Sequence, residues 1–476
     1  MRWRILAVVA CALGMACKEV MVSAPLIVLL YDRTFVSATW RDVWQRRAGF
    51  YLALAATWLL LAGLVISTVG RGGTAGFSTE VTVASYAATQ FVAITRYLFL
   101  AVWPHPLVFD YGTAVITDAM LVVPCALFVL GLFAGAIVAF RRRPALGFLG
   151  IAFFAILAPS SSVVPIATQT MAEHRMYLPL VAVVVLVVLA TYRWLGRGAF
   201  VALGIVAAVL ALMTVLRNSD YRTNEIIWRD TVAKRPQNPR AQCSLADALF
   251  AADQADAAIP FYEEALRLKP DYAEARVNFG SALLALGRAN EAIPQLEAAL
   301  RLQPAFAKSH HNLANAFART GRVDEAFAHY AEAARLRPDD VTNLCDWGNA
   351  LQRAGRTADA IARYESAIQR EPKFAMAHNN LANALAESGR FSEAIPHYET
   401  ALRLEPSYAE GHNNFAGALA QSGRFPEAIQ HFETALRLKP DYPSAHENLG
   451  KVYLALGDNA AAQREFAQAR RDGSAR

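Results

Sequence analysis

Two groups of charged residues interrupt strongly apolar stretches of this 476-residue sequence, and they are the first candidates for chemistry. Lys18 and Glu19 lie in the middle of one apolar run. The second group lies in a short segment between two further apolar runs and consists of Glu173, His174, Arg175 and Tyr177. A charge inside a membrane is costly unless it pairs or lines a cavity, so such residues are functional candidates by default. The alternative is a packing role, in which Glu19 pairs with Arg175 and joins two helices.

A further carboxylate, Asp110, lies in the long segment between two apolar runs and is followed by Tyr111 and Gly112. A carboxylate in this place could bind a metal ion or an acceptor group. Aspartate is also a common turn residue, because its side chain accepts a hydrogen bond from the backbone two residues later. The sequence leaves both roles open.

The elements that must position these residues are long apolar segments. A membrane-spanning helix needs about 20 mostly apolar residues. Six spans are predicted within residues 1–222: 5–31, 50–69, 119–140, 145–166, 176–194 and 198–216. The first is too long for one straight span and contains two charges, so we expect a tilted or broken helix. Residues 90–103 form a shorter apolar stretch, which we interpret as interfacial or re-entrant.

Arginines in the short connecting segments predict the orientation, because positive residues are retained on the cytoplasmic side. They cluster before the 50–69 span, after the 119–140 span and between the last two spans, whereas 70–118 and 167–175 contain few. Six spans then place the chain after Leu216 outside the cytoplasm. We therefore expect a multi-pass protein of a bacterial inner membrane, with its second half in the periplasm or extracytoplasmic space.

Composition divides the chain into two parts. Residues 1–222 contain 17 Lys and Arg against 8 Asp and Glu, and the remainder contains 29 against 32. An acidic second half argues against a nucleic-acid groove, so no nucleic-acid partner is expected. The five cysteines lie in apolar runs or far apart in sequence, which indicates neither a disulfide framework nor a metal cluster.

Prolines recur every 34 residues in the second half of the chain, at positions 236, 270, 304, 338, 372, 406 and 440. This is the period of the tetratricopeptide repeat, a pair of antiparallel helices. Seven repeats are predicted over 239–476, after a linker helix at 223–238. Alanine occupies the twentieth and twenty-seventh positions of all seven, as expected where two helices approach closely. Stacked pairs of this kind form a right-handed superhelical solenoid with a groove.

Asparagine recurs on the helix face that should line this groove, although it is a poor helix former. The predicted groove residues are Asn278, Asn312, Asn315, Asp346, Asn349, Asn379, Asn380, Asn383, Asn413, Asn414 and Asn448. A row of side-chain amides can pair with the N–H and C=O groups of an extended peptide, largely regardless of its sequence. The pattern is similar to the asparagine ladder of the soluble O-linked N-acetylglucosamine transferase. The alternative is that the amides brace one another or neighbouring helices.

Histidine recurs at the fourth position of four repeats, as His310, His378, His412 and His446. Adjacent repeats separate these side chains by about two helix diameters, too far to share a metal ion. We therefore expect a structural role for them and no metal site.

Several stretches of the first half resemble one family when they are taken in order with the repeats. They are 16–19, 25–32, 103–107 with Asp110 and Tyr111, and 172–179. Together they resemble the transmembrane and tetratricopeptide-repeat O-mannosyltransferase-like proteins. Members of that group look like C-type glycosyltransferases, which transfer a sugar from a polyprenyl-phosphate donor to a Ser or Thr hydroxyl on the extracytoplasmic face.

The resemblance implies roles for the charged groups. The residues around the donor phosphate would be Lys18, Glu19, Glu173, His174, Arg175 and Tyr177, with the Arg175 guanidinium suited to bidentate contact. The outer-loop candidates would be His105, Asp110 and Tyr111. A polyprenyl-phosphate sugar would be the donor, the bilayer and its polyprenyl lipids would be partners, and a divalent metal stays open.

Two functions remain open. Transfer to a hydroxyl needs a general base within reach, but residues 1–14, where the family would carry its acidic residue, contain no Asp or Glu. The first hypothesis is a polyprenyl-phosphate-sugar:protein O-glycosyltransferase whose repeats bind extended protein acceptors. The second is a membrane-tethered scaffold that binds peptides and catalyses nothing. For both, the predicted fold is all-α: a polytopic membrane helix bundle followed by the tetratricopeptide-repeat solenoid.

Overall fold

The computed structural model describes residues 2–17, 22–37, 39–68, 82–105, 107–112, 115–161, 176–218 and 221–474. All regular elements in these ranges are helices. The chain divides into two compact units, Met1–Pro270 and Asp271–Arg476. This division lies after the linker helix and the first repeat, 48 residues beyond the boundary at 222 expected from composition.

The first unit begins with eight helices, of which α1 and α3 pack on each other, α2 contacts α6 and α3, and α4 to α8 each pack mainly on a neighbour in sequence. They are α1 Arg2–Cys17, α2 Ala24–Tyr31, α3 Trp40–Thr68, α4 Val83–Val102, α5 Ala119–Arg142, α6 Pro144–Ser161, α7 Tyr177–Leu195 and α8 Ala199–Asn218. A π-helical turn, Asp32–Val36, follows α2. The predicted 5–31 span corresponds to α1 and α2, and Lys18 and Glu19, between them in sequence, lie outside the described residues.

The helix that contains the 90–103 stretch is longer than the sequence suggested. It begins at Val83 and has 20 residues. The added residues, 83–89, read Val-Ala-Ser-Tyr-Ala-Ala-Thr. Their small side chains make this stretch less apolar than 90–103, but they are compatible with a helix. The Thr82 hydroxyl caps the new N-terminus by accepting a hydrogen bond from the backbone N–H of Ser85.

Two helical stretches in the described ranges are long and apolar enough to cross a membrane: Ala119–Arg142 and Leu178–Asn218. Almost none of their residues are buried, unlike the core helix of a soluble protein. The second stretch includes α7 and α8, between which the backbone bends at Gly196 with a positive φ. Three of the six predicted spans therefore lie in helices of this kind.

The rest of the first unit consists of a short helix and the first repeat. Helix α9, Asn224–Lys234, corresponds to the predicted linker helix. The repeat follows as α10, Pro239–Ala251, and α11, Ala255–Leu268.

The second unit contains six further helix pairs, and each first helix begins at the residue given by the 34-residue period. The first helices are α12 Ala273–Ala285, α14 Ala307–Arg319, α16 Val341–Arg353, α18 Ala375–Glu387, α20 Ala409–Gln421 and α22 Pro443–Ala455. The second helices are α13 Ala289–Leu302, α15 Val323–Leu336, α17 Thr357–Arg370, α19 Phe391–Leu404, α21 Phe425–Leu438 and α23 Asn459–Ser474.

Small residues allow the two helices of a repeat to pack closely. In the fourth repeat Gly348 lies against Tyr364, and a Cβ atom at Gly348 would approach the tyrosine Cζ to 2.7 Å. The alanines at the twentieth and twenty-seventh positions are buried, except Ala469 in the last repeat, which is half-buried. Between the helices the chain turns at a glycine with positive φ, for example +75° at Gly355, a conformation that favours glycine.

Candidate functional site: the face of the first helices

The first helices of the second unit form one continuous face. Each packs on the first helix of the next repeat, from α12 to α22, whereas the second helices pack mainly on first helices. The first helices therefore lie on the concave side of this unit. We define the helix-A face by the sixth and ninth positions of its repeats: Asn278, Ser281, Asn312, Asn315, Asp346, Asn349, Asn380, Asn383, Asn414, Gly417, Asn448 and Lys451. All of these residues are half-buried except Lys451, at the end of the face, which is exposed.

Hydrogen bonds between neighbouring repeats run along this face. The Asn312 amide donates to the Ser281 hydroxyl at 2.7 Å. The next contacts, each between a ninth position and the following sixth position, are Asn315 to Asp346 at 3.1 Å and Asn380 to Asn349 at 3.2 Å. The bracing alternative thus describes part of what these side chains do.

Tyrosines of the second helices fix the asparagines at the ninth position. The hydroxyl groups of Tyr364 and Tyr398 donate to the Oδ1 atoms of Asn349 and Asn383 at 2.8 and 2.6 Å. Tyr330 donates to Asn315 in the same way. Burial raises the pKa of all three tyrosines, so they stay protonated donors. This role was not predicted from the sequence, although tyrosine at position 24 occurs only in repeats with Asn or Asp at position 9.

Several amide atoms on the face remain available after these contacts. In the described part of the second unit no hydrogen bond engages Oδ1 of Asn312 or Asn448, or Nδ2 of Asn349, Asn383 or Asn414. These atoms include donors and acceptors, which a peptide backbone requires. The face therefore combines orienting contacts with free hydrogen-bonding capacity.

Two predicted groove residues, Asn379 and Asn413, lie elsewhere. Both occupy the fifth position and are buried, with side chains 1% and 7% exposed. Their amides donate to Asn380 and Asn414 at 3.2 Å, and Asn413 also accepts from Asn448. Successive helical residues point about 100° apart, so only one of two adjacent asparagines can line the face.

Three of the four recurring histidines pair with a second histidine of the same repeat, whereas His446 contacts Glu465 at 2.6 Å. The Nδ1 atoms of His310 and His329 lie 2.9 Å apart, and the equivalent pairs His378–His397 and His412–His431 have distances of 3.0 and 2.9 Å. The Nε2 atom of each first histidine faces a proline carbonyl, which can only accept, so this nitrogen donates. Its Nδ1 is then the acceptor when the ring is neutral, and the second histidine is the donor. The expected structural role agrees with this geometry, but sequence reasoning missed the partner histidines.

The family of the repeats follows from their sequences. Models described as TPR repeat or tetratricopeptide repeat match residues 249–297, 277–341, 345–411 and 416–457. The repeats of this chain are tetratricopeptide repeats. The matches all lie between residues 249 and 457 and give no support to the O-mannosyltransferase-like resemblance of the first half. Among curated proteins, none matches the chain.

Solved structures similar to this chain include other tetratricopeptide-repeat proteins. A chain of the APC/C hetero-tetramer Cut9-Hcn1 is 19% identical with a TM-score of 0.43, and the match covers 52% of this chain and about half, 49%, of that one. A tetratricopeptide repeat protein from Parabacteroides merdae ATCC 43184 is 16% identical over 49% and 93% of the two chains, with a TM-score of 0.42. YrrB, described as a TPR protein with an unusual peptide-binding site, is 18% identical over 39% and 95%, with a TM-score of 0.31.

Most candidates for donor-phosphate binding lie outside the described ranges. They are Lys18, Glu19, Glu173, His174 and Arg175. Tyr177 is the first residue of α7. His105 is exposed. In the part of the chain that the structure describes, no group of three or more His, Cys, Asp or Glu residues could hold a metal ion.

Asp110 connects the segment after α4 to the first tetratricopeptide repeat. Its carboxylate is buried and accepts hydrogen bonds from the Gly112 backbone N–H at 2.8 Å and from Arg240 Nε at 2.5 Å. Asn238 caps α10 through its Oδ1 and donates through Nδ2 to the Asp110 carbonyl at 3.2 Å. Asp110 is thus a turn residue and also an ion-pair partner across 130 residues of sequence.

Helix α9 is held at the same place. Arg217, at the end of α8, and Lys234 both bond to the Asp230 carboxylate at 2.8 Å. Both also donate to the Leu107 carbonyl, at 3.3 and 2.9 Å. We use the name junction for residues 107–112, the end of α8, α9 and the first turn of α10. Its contacts join the apolar helices of the first unit to the first repeat.

Proposed function

We propose that this chain is a membrane-anchored scaffold whose helix-A face binds extended protein segments, and that it acts by protein–protein interaction. The observation that carries the proposal is the row of uncommitted amide donors and acceptors in successive repeats. The face has two ionisable residues: Asp346 already accepts hydrogen bonds from Asn315 and from His311 Nε2, and Lys451, in the last repeat, pairs with Glu447 at 2.8 Å. A face of this composition favours backbone recognition over recognition of charged side chains.

The binding test uses the full chain in an uncharged detergent and a permanently unfolded protein, reduced and carboxymethylated lactalbumin. Replacing Asn312, Asn414 and Asn448 together with Ala should weaken binding at least tenfold, because each has an uncommitted amide atom and each hydrogen bond contributes roughly 0.5–1.5 kcal/mol. A control variant carries Ala at the exposed positions Asn290 and Gln430 on second helices. Equal affinity for both variants would contradict the proposal, and loss of helical structure in the triple variant would indicate a purely bracing role.

Membrane anchoring is the second part of the proposal. The exposed apolar side chains of α5, α7 and α8 support it, since a soluble protein would have to cover them. The arginine distribution favours a repeat domain outside the cytoplasm. Alkaline phosphatase fused after residue 222 should therefore be active in cells. An inactive fusion that is present at normal levels would refute this orientation.

The O-glycosyltransferase is the weaker candidate function. It rests on the sequence motifs at 16–19, 103–111 and 172–179 and would use a polyprenyl-phosphate sugar. The contacts of Asp110 with Gly112 and Arg240 do not favour a metal or acceptor role for that residue. Sugar transfer from a lipid donor to an unfolded protein acceptor by the purified full chain would establish this function in place of the scaffold.

A further inference from the structure

The junction and the adjacent helix α4 contain more positive than negative charge. Five basic side chains meet there: Arg96, Arg217, Lys234, Arg235 and Arg240. Two carboxylates face them, Asp110 and Asp230. Asp110 pairs with Arg240, and Asp230 pairs with Arg217 and Lys234. Arg96 and Arg235 have no carboxylate partner in the described part of the chain.

These two arginines converge on one aromatic ring. The guanidinium carbon of Arg96 lies 4.9 Å from the ring centre of Tyr111, and that of Arg235 lies 5.1 Å from it. Tyr111 is buried, and both arginines are half-buried. Burial, followed by the charge of Arg96, lowers the pKa of Arg235. The arrangement holds two like charges near each other with restricted access to water.

One nitrogen of these two guanidinium groups is a buried donor. The Nε atom of Arg96 is buried, and no acceptor among the described residues engages it. A buried donor without a partner costs free energy, and more when the donor is charged. The contacts with Tyr111 compensate only part of this cost, because a cation–π contact provides no hydrogen-bond acceptor. An anion between the two guanidinium groups would satisfy both the charge and the donor.

We propose that Arg96 and Arg235, beside Tyr111, bind a phosphate group. Guanidinium groups match phosphate oxygens in a bidentate geometry, and two arginines suit its charge better than that of a single carboxylate. An anionic phospholipid headgroup is the expected source. The apolar helix α5 begins seven residues after Gly112, and α8 ends at Asn218 beside Arg217, so the ends of two candidate spans lie near the junction. Free phosphate has the same chemistry and is separated from the lipid by the test.

The test measures calorimetric binding to the full chain in an uncharged detergent at low salt. Three probes are compared: inorganic phosphate, dihexanoyl phosphatidylglycerol and dihexanoyl phosphatidylcholine, the last as a headgroup without net charge. Arg96→Gln with Arg235→Gln should lower the affinity for phosphatidylglycerol at least tenfold, because charge-assisted hydrogen bonds are lost. Arg229→Gln is the matched control, since Arg229 is an exposed arginine of α9 paired only with Glu225. Its affinity should stay within about twofold of that of the native chain.

The outcomes separate the alternatives. Tighter binding of phosphatidylglycerol than of the other two probes supports the lipid headgroup, and equal binding of inorganic phosphate assigns the site to free phosphate. Absence of binding by both anions, or an equal loss in the Arg229 variant, overturns the proposal. Arg96→Lys with Arg235→Lys retains the charges but not the bidentate geometry, so its affinity should lie between those of the native chain and the Gln variant. Circular dichroism of the Gln variant should show native helical content, which separates a lost site from a lost fold. Peptide binding by the helix-A face should be unaffected by either double variant, so the two proposals fail independently.

Discussion

The ion pair between Asp110 and Arg240 should hold the first repeat against the segment after α4. In Asp110→Asn the side chain keeps an oxygen for the Gly112 N–H but loses its charge. Hydrogen bonds to charged groups contribute about 1.5–3 kcal/mol. The Arg240 side chain is 26% exposed and partly solvated, so the lower end of this range applies. We expect the variant to lower the free energy of local opening by about 1.5 kcal/mol.

Hydrogen exchange followed by mass spectrometry measures this opening directly. A loss of 1.5 kcal/mol corresponds to roughly tenfold faster exchange in residues 107–112, α9 and the first turn of α10. Asp110→Ala also removes the bond to Gly112, which adds about 1 kcal/mol. Arg240→Gln should resemble Asp110→Asn, and the double variant should cost less than the sum because both remove the same pair.

A second aspartate in the same region provides the control. Asp118 is exposed and caps α5 by accepting from the Met120 N–H. Asp118→Asn should therefore change exchange only in the first turn of α5. Unchanged exchange at the junction in Asp110→Asn would refute the anchoring role. It would return Asp110 to the candidates for metal or acceptor binding.

Three further predictions concern the repeats. Burial, followed by the charge of the neighbouring histidine, lowers the folded-state pKa of His329, His397 and His431. The unfolded chain therefore takes up more protons than the folded chain below about pH 6.5. Urea unfolding should show full stability above that pH and a loss of stability towards pH 5. Gly417→Ala should stabilise α20 by about 0.5–1 kcal/mol, because open space surrounds that position. Gly348→Ala should fail to stabilise α16, because the Tyr364 side chain would have to move. The denaturant midpoints of the two variants, each compared with that of the native chain, test this difference. A double-mutant cycle of Tyr398→Phe and Asn383→Ala should give a coupling of about 1 kcal/mol in urea unfolding, and no coupling would contradict the brace.

The repeat architecture could be predicted almost completely from the sequence, because its signals are local and periodic. The 34-residue spacing of prolines and the two invariant alanine positions give the start of each first helix. The pairing of Tyr398 with Asn383 was also present in the sequence, as the co-occurrence of two residue types 15 positions apart. It was missed because large residues at that position were interpreted only as packing.

The junction could not be predicted. The contact between Asp110 and Arg240 joins residues 130 positions apart, and no periodic pattern relates them. Asn238 has two roles, since it caps a helix and also donates to a distant carbonyl, and only the first is legible from local sequence. The positions of Asn379 and Asn413 were wrong for a simpler reason. Adjacent asparagines look alike in a sequence, whereas the helix turns one of each pair into the interior.

Site-specific crosslinking tests the central claim most directly. A photo-crosslinking amino acid replaces Gly417, which lies on the helix-A face with open space around it, or Gln430, which is exposed on a second helix. The full chain is then irradiated with reduced and carboxymethylated lactalbumin. The account predicts crosslinks from position 417 that native, folded lactalbumin does not form, and few from position 430. Equal crosslinking from both positions, or none from 417, would contradict peptide binding by this face.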